Sequence, residues 1–324
     1  VEIITSNRGN YAQVYQRSLT EPEAFWAEQA RGIPWIRTPT KALEKDRNDV
    51  WRWFSDGELN SCYVALDHHV EQGRGEQTAL IYDSPVTNTV ARYTYSELRD
   101  WTARVAGGLQ DLGVTKGDVV IIYMPMVPET AVAMLACARI GAIHSVVFGG
   151  FAPRELAMRI DDSLPKVIMA ASCGIEVDKV IPYQPLLNDA IAIAEHSPAY
   201  VVMLQRPQAL ATLLPGRDLD WQTWQQRAEP VDCVPVAATD PLYVLYTSGT
   251  TGKPKGIVRD NGGHAVALRY SMQAIYNVGI GDVYWAASDV GWVVGHSYIV
   301  YGPLFAGCTT ILFEGKPVRT PDAG

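Results

Sequence analysis

The chain has 324 residues, 48% hydrophobic and 19% charged, which supports a sizeable core in one large domain or two smaller ones. A net charge of −8, with lysines and arginines scattered, leaves no electrostatic footprint for DNA or RNA, and no apolar run reaches the about 18 residues that a membrane helix needs. With neither a signal-peptide nor a transit pattern at the start, a soluble cytoplasmic protein is expected, or one of the mitochondrial matrix if a transit segment was removed.

The first sixty residues carry eight aromatics between Tyr11 and Phe54 and no strand of convincing length. Thr20-Glu-Pro-Glu23 reads as a capping box that opens a helix bearing Phe25 and Trp26 and stops near Gly32. Trp35, Trp51, Trp53 and Phe54 follow, and such a density of rings predicts a segment draped over another domain, burying them one by one. Asn60 is placed to cap a helix carrying Tyr63, Leu66 and Val70, with His68 and His69 on its polar side.

From Thr78 strands alternate with helices. TALIYD and VARYTY, either side of Ser84-Pro85, predict a hairpin; Thr94 and Glu97 form a second capping box for an amphipathic helix to Leu112, closed by Gly113. VVIIYM, HSVVF, KVIMAA and AYVVML read as buried strands, with helices in AVAMLACARIG, PRELAMRIDDS, Leu186 to His196 and near Trp221. The pattern predicts an α/β fold with largely parallel, helix-covered sheets. Only Pro215 to Pro235 shifts in composition as a linker would. The five cysteines (Cys62, Cys137, Cys173, Cys233, Cys308) are widely spaced and read as buried free thiols of a reducing compartment, and no His or Cys spacing points to a protein-held metal.

Three stretches follow strands and suit ligands, which in such sheets gather beyond the carboxyl ends. The densest is YTSGTTGKPKG, Tyr246 to Gly256, leaving the apolar run PLYVLY. Gly249, Gly252 and Gly256 let the backbone approach a ligand; Thr247, Ser248, Thr250 and Thr251 offer donors; Lys253 and Lys255 bring charge. The composition suits phosphate oxygens better than a solvated turn, yet the spacing is not that of a nucleotide-triphosphatase phosphate loop, since Gly249-x-x-Gly252-Lys253 is followed by the short strand GIV. A second stretch, FGGFAP from Phe148 to Pro153, turns from strand to helix through Gly149 and Gly150; paired glycines there suit packing or ligand approach alike. The third, SDVGWVVGHSYIVYGPL from Ser288 to Leu304, presents Trp292, Val293 and Val294 between two glycines at a helix start, either as a core helix or as the wall of a small dry pocket.

YTSGTTGKPKG resembles the phosphate-binding signature of the adenylate-forming enzymes, and FGGF, DGELNSCYVALDHHV and GWVVGHSY are similar to the short-chain acyl-CoA synthetases among them, closest to the propionyl-CoA synthetases. The resemblance covers almost the whole chain. It implies an AMP-forming ligase using ATP, CoA and Mg²⁺, in which residues 247–253, 255 and 256 hold the β- and γ-phosphates. Trp292 is then the ring that rearranges between half-reactions, Val293 and Val294 line the acyl pocket, and Phe148, Gly149 and Gly150 lie by the CoA channel. The family's CoA-nucleotide run maps onto Glu176, Val177, Asp178 and Lys179, which keep one cation. Acetate-type enzymes typically have Thr where Val294 stands, so propionate is the expected substrate, with acetyl- and acetoacetyl-CoA synthetases as near rivals. Residues 1–70 correspond to the family's N-terminal extension and 71–324 to a truncated adenylation domain. The adenine contacts and the C-terminal domain with the adenylation lysine find no counterpart, so no catalytic residue is assigned and this stretch alone is expected to be inactive. A non-catalytic CoA- or phosphate-binding module is the alternative of another class.

Overall fold

A computed structural model describes residues 11–177, 179–247 and 254–316. A seven-stranded sheet runs in the order Asp218–Asp220, Tyr200–Leu204, Val167–Ala171, Val119–Tyr123, Ile143–Val146, Pro241–Thr247, Lys255–Asp260. Every neighbouring pair is parallel except the last, which is antiparallel. The central strands are apolar along their whole length; Val167–Ala171 is buried at every residue, as sheets covered on both faces require. Helices Tyr95–Asp111 and Pro128–Arg139 pack on each other, as do Pro153–Ser163 and Tyr183–Ile193. A smaller sheet runs Val283–Tyr284, Thr309–Phe313, Thr78–Ser84, Thr89–Thr94, with only the last pair antiparallel. This is the α/β architecture the strand–helix alternation predicts.

A continuous helical segment spans Val293 to Phe305, with its middle, His296–Tyr301, wound as a π-helix. It joins the two sheets: the Thr310 hydroxyl donates to the Ile299 carbonyl, while Tyr301 and His144 lie 2.7 Å apart, Oη to Nε2. The wide π turn, a form frequent at functional sites, sets this segment just behind Trp292.

The second capping box forms as expected, with Thr94 and Glu97 exchanging side-chain and backbone bonds. The first does not. Thr20 belongs to the preceding helix, where its hydroxyl donates to Gln16; the helix Pro22–Ala30 begins from Glu21 with no side-chain cap, and the proline alone fixes its start. Phe25 and Phe54 are buried, and Trp26 meets Tyr270 of helix Gly262–Ala274 edge to face at 5.4 Å, so the N-terminal rings do lie over the larger body. The exceptions are Tyr11 and Tyr15, exposed on the first helix, and Trp51, exposed beneath the Lys45 ammonium.

Asn60 caps its helix by accepting from the amides of Cys62 and Tyr63. His69, expected on the polar side, is instead buried. Its Nε2 lies 2.7 Å from the Leu304 carbonyl and its Nδ1 2.8 Å from Arg74, so a neutral ring donating to the first and accepting from the second is fully paired away from water. The helix predicted from Leu186 to His196 runs from Tyr183 to Ile193, and the sequence Cys173 to Pro182 holds a hairpin that hydrophobic alternation does not reveal. Four of the five free cysteines are buried as expected, while Cys233 is half-buried.

Candidate functional site

The strand Pro241–Thr247 delivers the polar loop to the carboxyl edge of the parallel sheet, and Lys255–Asp260 takes the chain back antiparallel with Thr247 opposite Lys255 and Tyr246 opposite Gly256. Thr247, Lys255 and Gly256 are exposed at the two stems. Ser248, Gly249, Thr250, Thr251, Gly252 and Lys253 lie outside the described residues. The stem itself is tied down. Tyr246 donates to Asp162 at 2.5 Å, and the Arg159 guanidinium lies over the Tyr246 ring at 5.4 Å and over Phe151 at 4.9 Å. Burial and the Asp162 carboxylate push the Tyr246 hydroxyl up, so it stays protonated as a donor. One buried cation thus links the root of the polar loop to the FGGFAP turn.

That turn is shaped by contacts its sequence does not announce. Gly150 has φ +90°, and its amide approaches the Tyr123 hydroxyl at 3.3 Å. A Cβ on Gly149 would stand 2.1 Å from the Tyr183 hydroxyl, and one on Gly174 would stand equally close to the same oxygen. Tyr183, buried at the start of its helix, is therefore a ring between two glycines; it packs the hairpin Cys173–Pro182 against the turn. On that hairpin Glu176 pairs with Lys179 in register and forms an ion pair with Lys316, while Val177 takes φ 60°, a conformation a β-branched residue enters only under constraint. Lys179 is exposed; Asp178 lies outside the described residues.

The third stretch meets the second. Phe148 and Trp292 have ring centroids 6.1 Å apart, and Gly291 is so close to Phe148 that an added Cβ would lie 3.2 Å from its Cα. Asp289 builds the turn: its Oδ1 accepts from the Gly291 amide at 2.7 Å and its carbonyl from the Trp292 amide at 3.0 Å. Burial raises the Asp289 carboxyl and the Gly291 amide opposes it. Trp292, Val293 and Val294 remain 53%, 45% and 46% exposed, so the structure places them at a surface rather than in a core. The Trp292 carbonyl accepts from the His296 amide and lies 3.1 Å from its Nδ1, which anchors the turn to the buried rings of His144, Tyr243 and Tyr301.

The structure therefore brings the FGGFAP turn beside both other loops. Sequence reasoning missed Arg159, Tyr183 and Asp289, because an arginine inside PRELAMRIDDS, a tyrosine after a proline and an aspartate two residues before a glycine look like ordinary surface residues. Among the described residues Cys62, Asp67 and Cys233 are the group near enough for a metal, and they lie away from these loops, so no metal ligand is added to the site.

Two family models match the chain: acetyl-coenzyme A synthetase N-terminus over residues 11–65, and AMP-binding enzyme over residues 66–323. The human acyl-CoA synthetase short-chain family member 3, mitochondrial, is 53% identical over 323 residues, 99% of this chain and 47% of that protein. The propionate–CoA ligase of Salmonella typhimurium is 49% identical over 318 residues, 97% of this chain and 50% of that one. Among solved structures, an acetoacetyl-CoA synthetase from Streptomyces lividans superposes with a TM-score of 0.86 at 28% identity, covering 95% of this chain and 47% of its own. The chain spans about half the length of the curated relatives it matches. Among the described residues no helix is long and apolar enough to cross a membrane.

Proposed function

The chain belongs to the AMP-binding enzyme family, and on that footing we propose that it supplies the phosphate loop, acyl wall and CoA channel of an AMP-forming short-chain acyl-CoA ligase, with propionate as its acid. The observation that carries the reading is the packing of Phe148 on Trp292, which sets a wall for a short acyl chain against the turn assigned to CoA. Residues 1–70 serve as the extension and 71–324 as the adenylation portion.

In the first half-reaction a carboxylate oxygen attacks the α-phosphorus of ATP and pyrophosphate leaves; in the second the CoA thiol attacks the acyl carbon and AMP leaves. The attacking carboxylate is already ionised, so the first step asks for charge neutralisation and alignment more than for a proton shuttle. The polar loop from Thr247 to Gly256 grips the β- and γ-phosphates, with Lys255 facing them from the returning strand. Bound Mg²⁺ supplies further neutralisation of the triphosphate. Trp292 closes over the acyl group, Val293 and Val294 line it, and the FGGF turn with the 176–179 hairpin carries CoA. Val294 offers a methyl where a hydroxyl is the alternative, which favours one additional methylene by about 1–3 kcal/mol.

ATP–pyrophosphate exchange with acetate, propionate and butyrate, run on this chain and on a form with the full length of its relatives, tests the reading. Exchange is expected in the long form alone and highest with propionate. Acetate preference would transfer the assignment to the acetate-type enzymes, and no exchange in a folded long form would leave a CoA- or phosphate-binding module.

A further inference from the structure

At the C-terminal end of the helix Pro128–Arg139, Cys62, Asp67 and Cys233 converge so that both sulfurs and a carboxylate oxygen lie within 4.8 Å of one another. Each comes from a different part of the chain. Cys62 opens the helical segment that Asn60 caps; Asp67 lies one turn further along it; Cys233 belongs to the irregular stretch after helix Trp221–Arg227. Arg139 holds them. Its two terminal nitrogens bind both Asp67 oxygens at 2.8 and 3.0 Å, its Nε donates to the Val231 carbonyl at 2.6 Å, and Nη1 lies 3.6 Å from the Cys62 sulfur. Asn60 adds bonds to the carbonyls of Ala138, Arg139 and Val234.

A divalent metal does not suit the group, because Arg139 pairs with both Asp67 oxygens and sets its own positive charge beside the Cys62 sulfur, where a cation would be repelled. A pair of reactive thiols does. The Cys62 sulfur lies beside the Arg139 guanidinium, whereas the Cys233 thiol donates to Asp67 at 3.6 Å. The hydrogen bond to Cys62, together with burial, pushes the Cys233 thiol up, so it keeps its proton. Cys62 is fully buried and Cys233 half-buried, so Cys233 is the member of the pair that reaches solvent. The other three cysteines are buried; in Cys137 and Cys308 burial raises the thiol, the latter to about 12.

We propose that Cys62 and Cys233 are a redox modification site, a dithiol that hydroperoxides convert to an intramolecular disulfide. The Cys62 sulfur gives up its thiol proton as it attacks one peroxide oxygen, the O–O bond breaks, and a sulfenic acid forms as the departing hydroxide takes that proton to become water. Cys233 gives up its thiol proton as its sulfur attacks the Cys62 sulfur; the S–O bond breaks and a second water leaves. Two thiols and one peroxide thus yield one disulfide and two waters, with two electrons passing from sulfur to oxygen. Closing to a bond of about 2 Å asks the sulfurs to move together. The stretch around Cys233, held by the Val231 amide on the Ala103 carbonyl and the Val234 amide on the Arg139 carbonyl rather than by a helix or sheet, is the part able to move. The bond would staple the N-terminal extension to the α/β body, and it is independent of any acyl-ligase activity.

The test treats the folded chain with hydrogen peroxide and counts thiols after denaturation with a chromogenic aryl disulfide. Reactive thiols are expected to fall from five to three, with mass spectrometry joining the Cys62 and Cys233 peptides and dithiothreitol restoring all five. In Cys233→Ser no intramolecular link should form and Cys62 should stop at the sulfenic acid, trapped with dimedone, so that three of the four remaining thiols are counted; should that variant not fold, peptide mapping of the wild-type chain decides alone. An unchanged count, a disulfide through a different cysteine, or zinc bound stoichiometrically in the purified protein would each overturn the assignment.

Discussion

Arg206 and Glu314 form a buried ion pair that fastens the end of strand Tyr200–Leu204 in the larger sheet to the end of Thr309–Phe313 in the smaller one. Nη2 donates to Oε2 at 3.0 Å, and Oε2 also accepts from Tyr82 at 2.5 Å and Ser84 at 2.9 Å; Oε1 lies 2.8 Å from Nη1 without the alignment of a hydrogen bond. Removing one partner strands a buried charge. Glu314→Ala should therefore lower stability by about 3–5 kcal/mol, whereas the double variant Arg206→Met with Glu314→Leu should lose less than that single change. Urea midpoints of the three proteins decide; a double variant weaker than Glu314→Ala would mean that the hydroxyls, and not the charge, hold the junction.

Acid should weaken the fold well before its carboxylates are neutralised. Burial lowers His69 and His296 to about 4 and His264 to about 3, and it lowers His144 well below the ordinary value of 6.5. The unfolded chain binds protons at these rings between pH 6.5 and the folded values, so stability is whole above 6.5 and falls as pH drops toward 4. Each ring contributes about 1.4 kcal/mol per pH unit in that window. Buried Asp260, Asp289 and Glu129, raised by burial, act in the opposite sense and soften the lower end. Urea midpoints measured from about pH 7 to about pH 5 should fall steadily, and His264→Phe should flatten the slope by about one proton. A flat profile would show that the rings charge in place.

Much of this architecture was readable because local chemistry and tertiary demand agree. Thr94 and Glu97 cap their helix as spaced, and VVIIYM and KVIMAA had the unbroken apolar runs of covered parallel strands. Reading failed where a partner far along the chain decides. Thr20 lost its cap to the helix before it, His69 is buried because Leu304 and Arg74 satisfy both ring nitrogens, and the hairpin at Cys173 is held by Tyr183 rather than by alternation. At the site the glycines and hydroxyls gave the loops away, but Arg159 and Tyr183 act through rings that only the fold brings near. That the three loops serve one site is what the resemblance implies and periodicity does not reach.

Tyr183 fills the space that two glycines leave, which makes those glycines steric requirements. Gly149→Ala and Gly174→Ala each put a methyl 2.1 Å from the Tyr183 hydroxyl and should cost about 1–3 kcal/mol as overpacking. Tyr183→Phe removes that oxygen, though not the ring carbons at 2.7 and 2.5 Å, so it should restore part of the loss in either background. Thermal midpoints of the four-member cycle measure the coupling. Additive losses would place the strain in the turn's backbone and not against Tyr183.

Val294 carries the substrate argument. Its side chain is 46% exposed, next to Trp292, at the head of a helical segment whose deeper residues His296 and Ile299 are buried. If Val294 lines the acyl pocket as proposed, its methyl offers the acyl end no hydrogen bond, so a longer chain would gain contact where a shorter one would leave a gap. Val294→Thr keeps the shape and exchanges one methyl for a hydroxyl. In a form with the full length of its relatives, the kcat/KM for propionate relative to acetate should fall about tenfold, near 1.4 kcal/mol, with the pyrophosphate-exchange rate on acetate maintained. Equal loss on both acids would mean that residue 294 positions Trp292 for turnover in general, and an unchanged ratio would move the choice of chain length to the part of the pocket contributed by other residues.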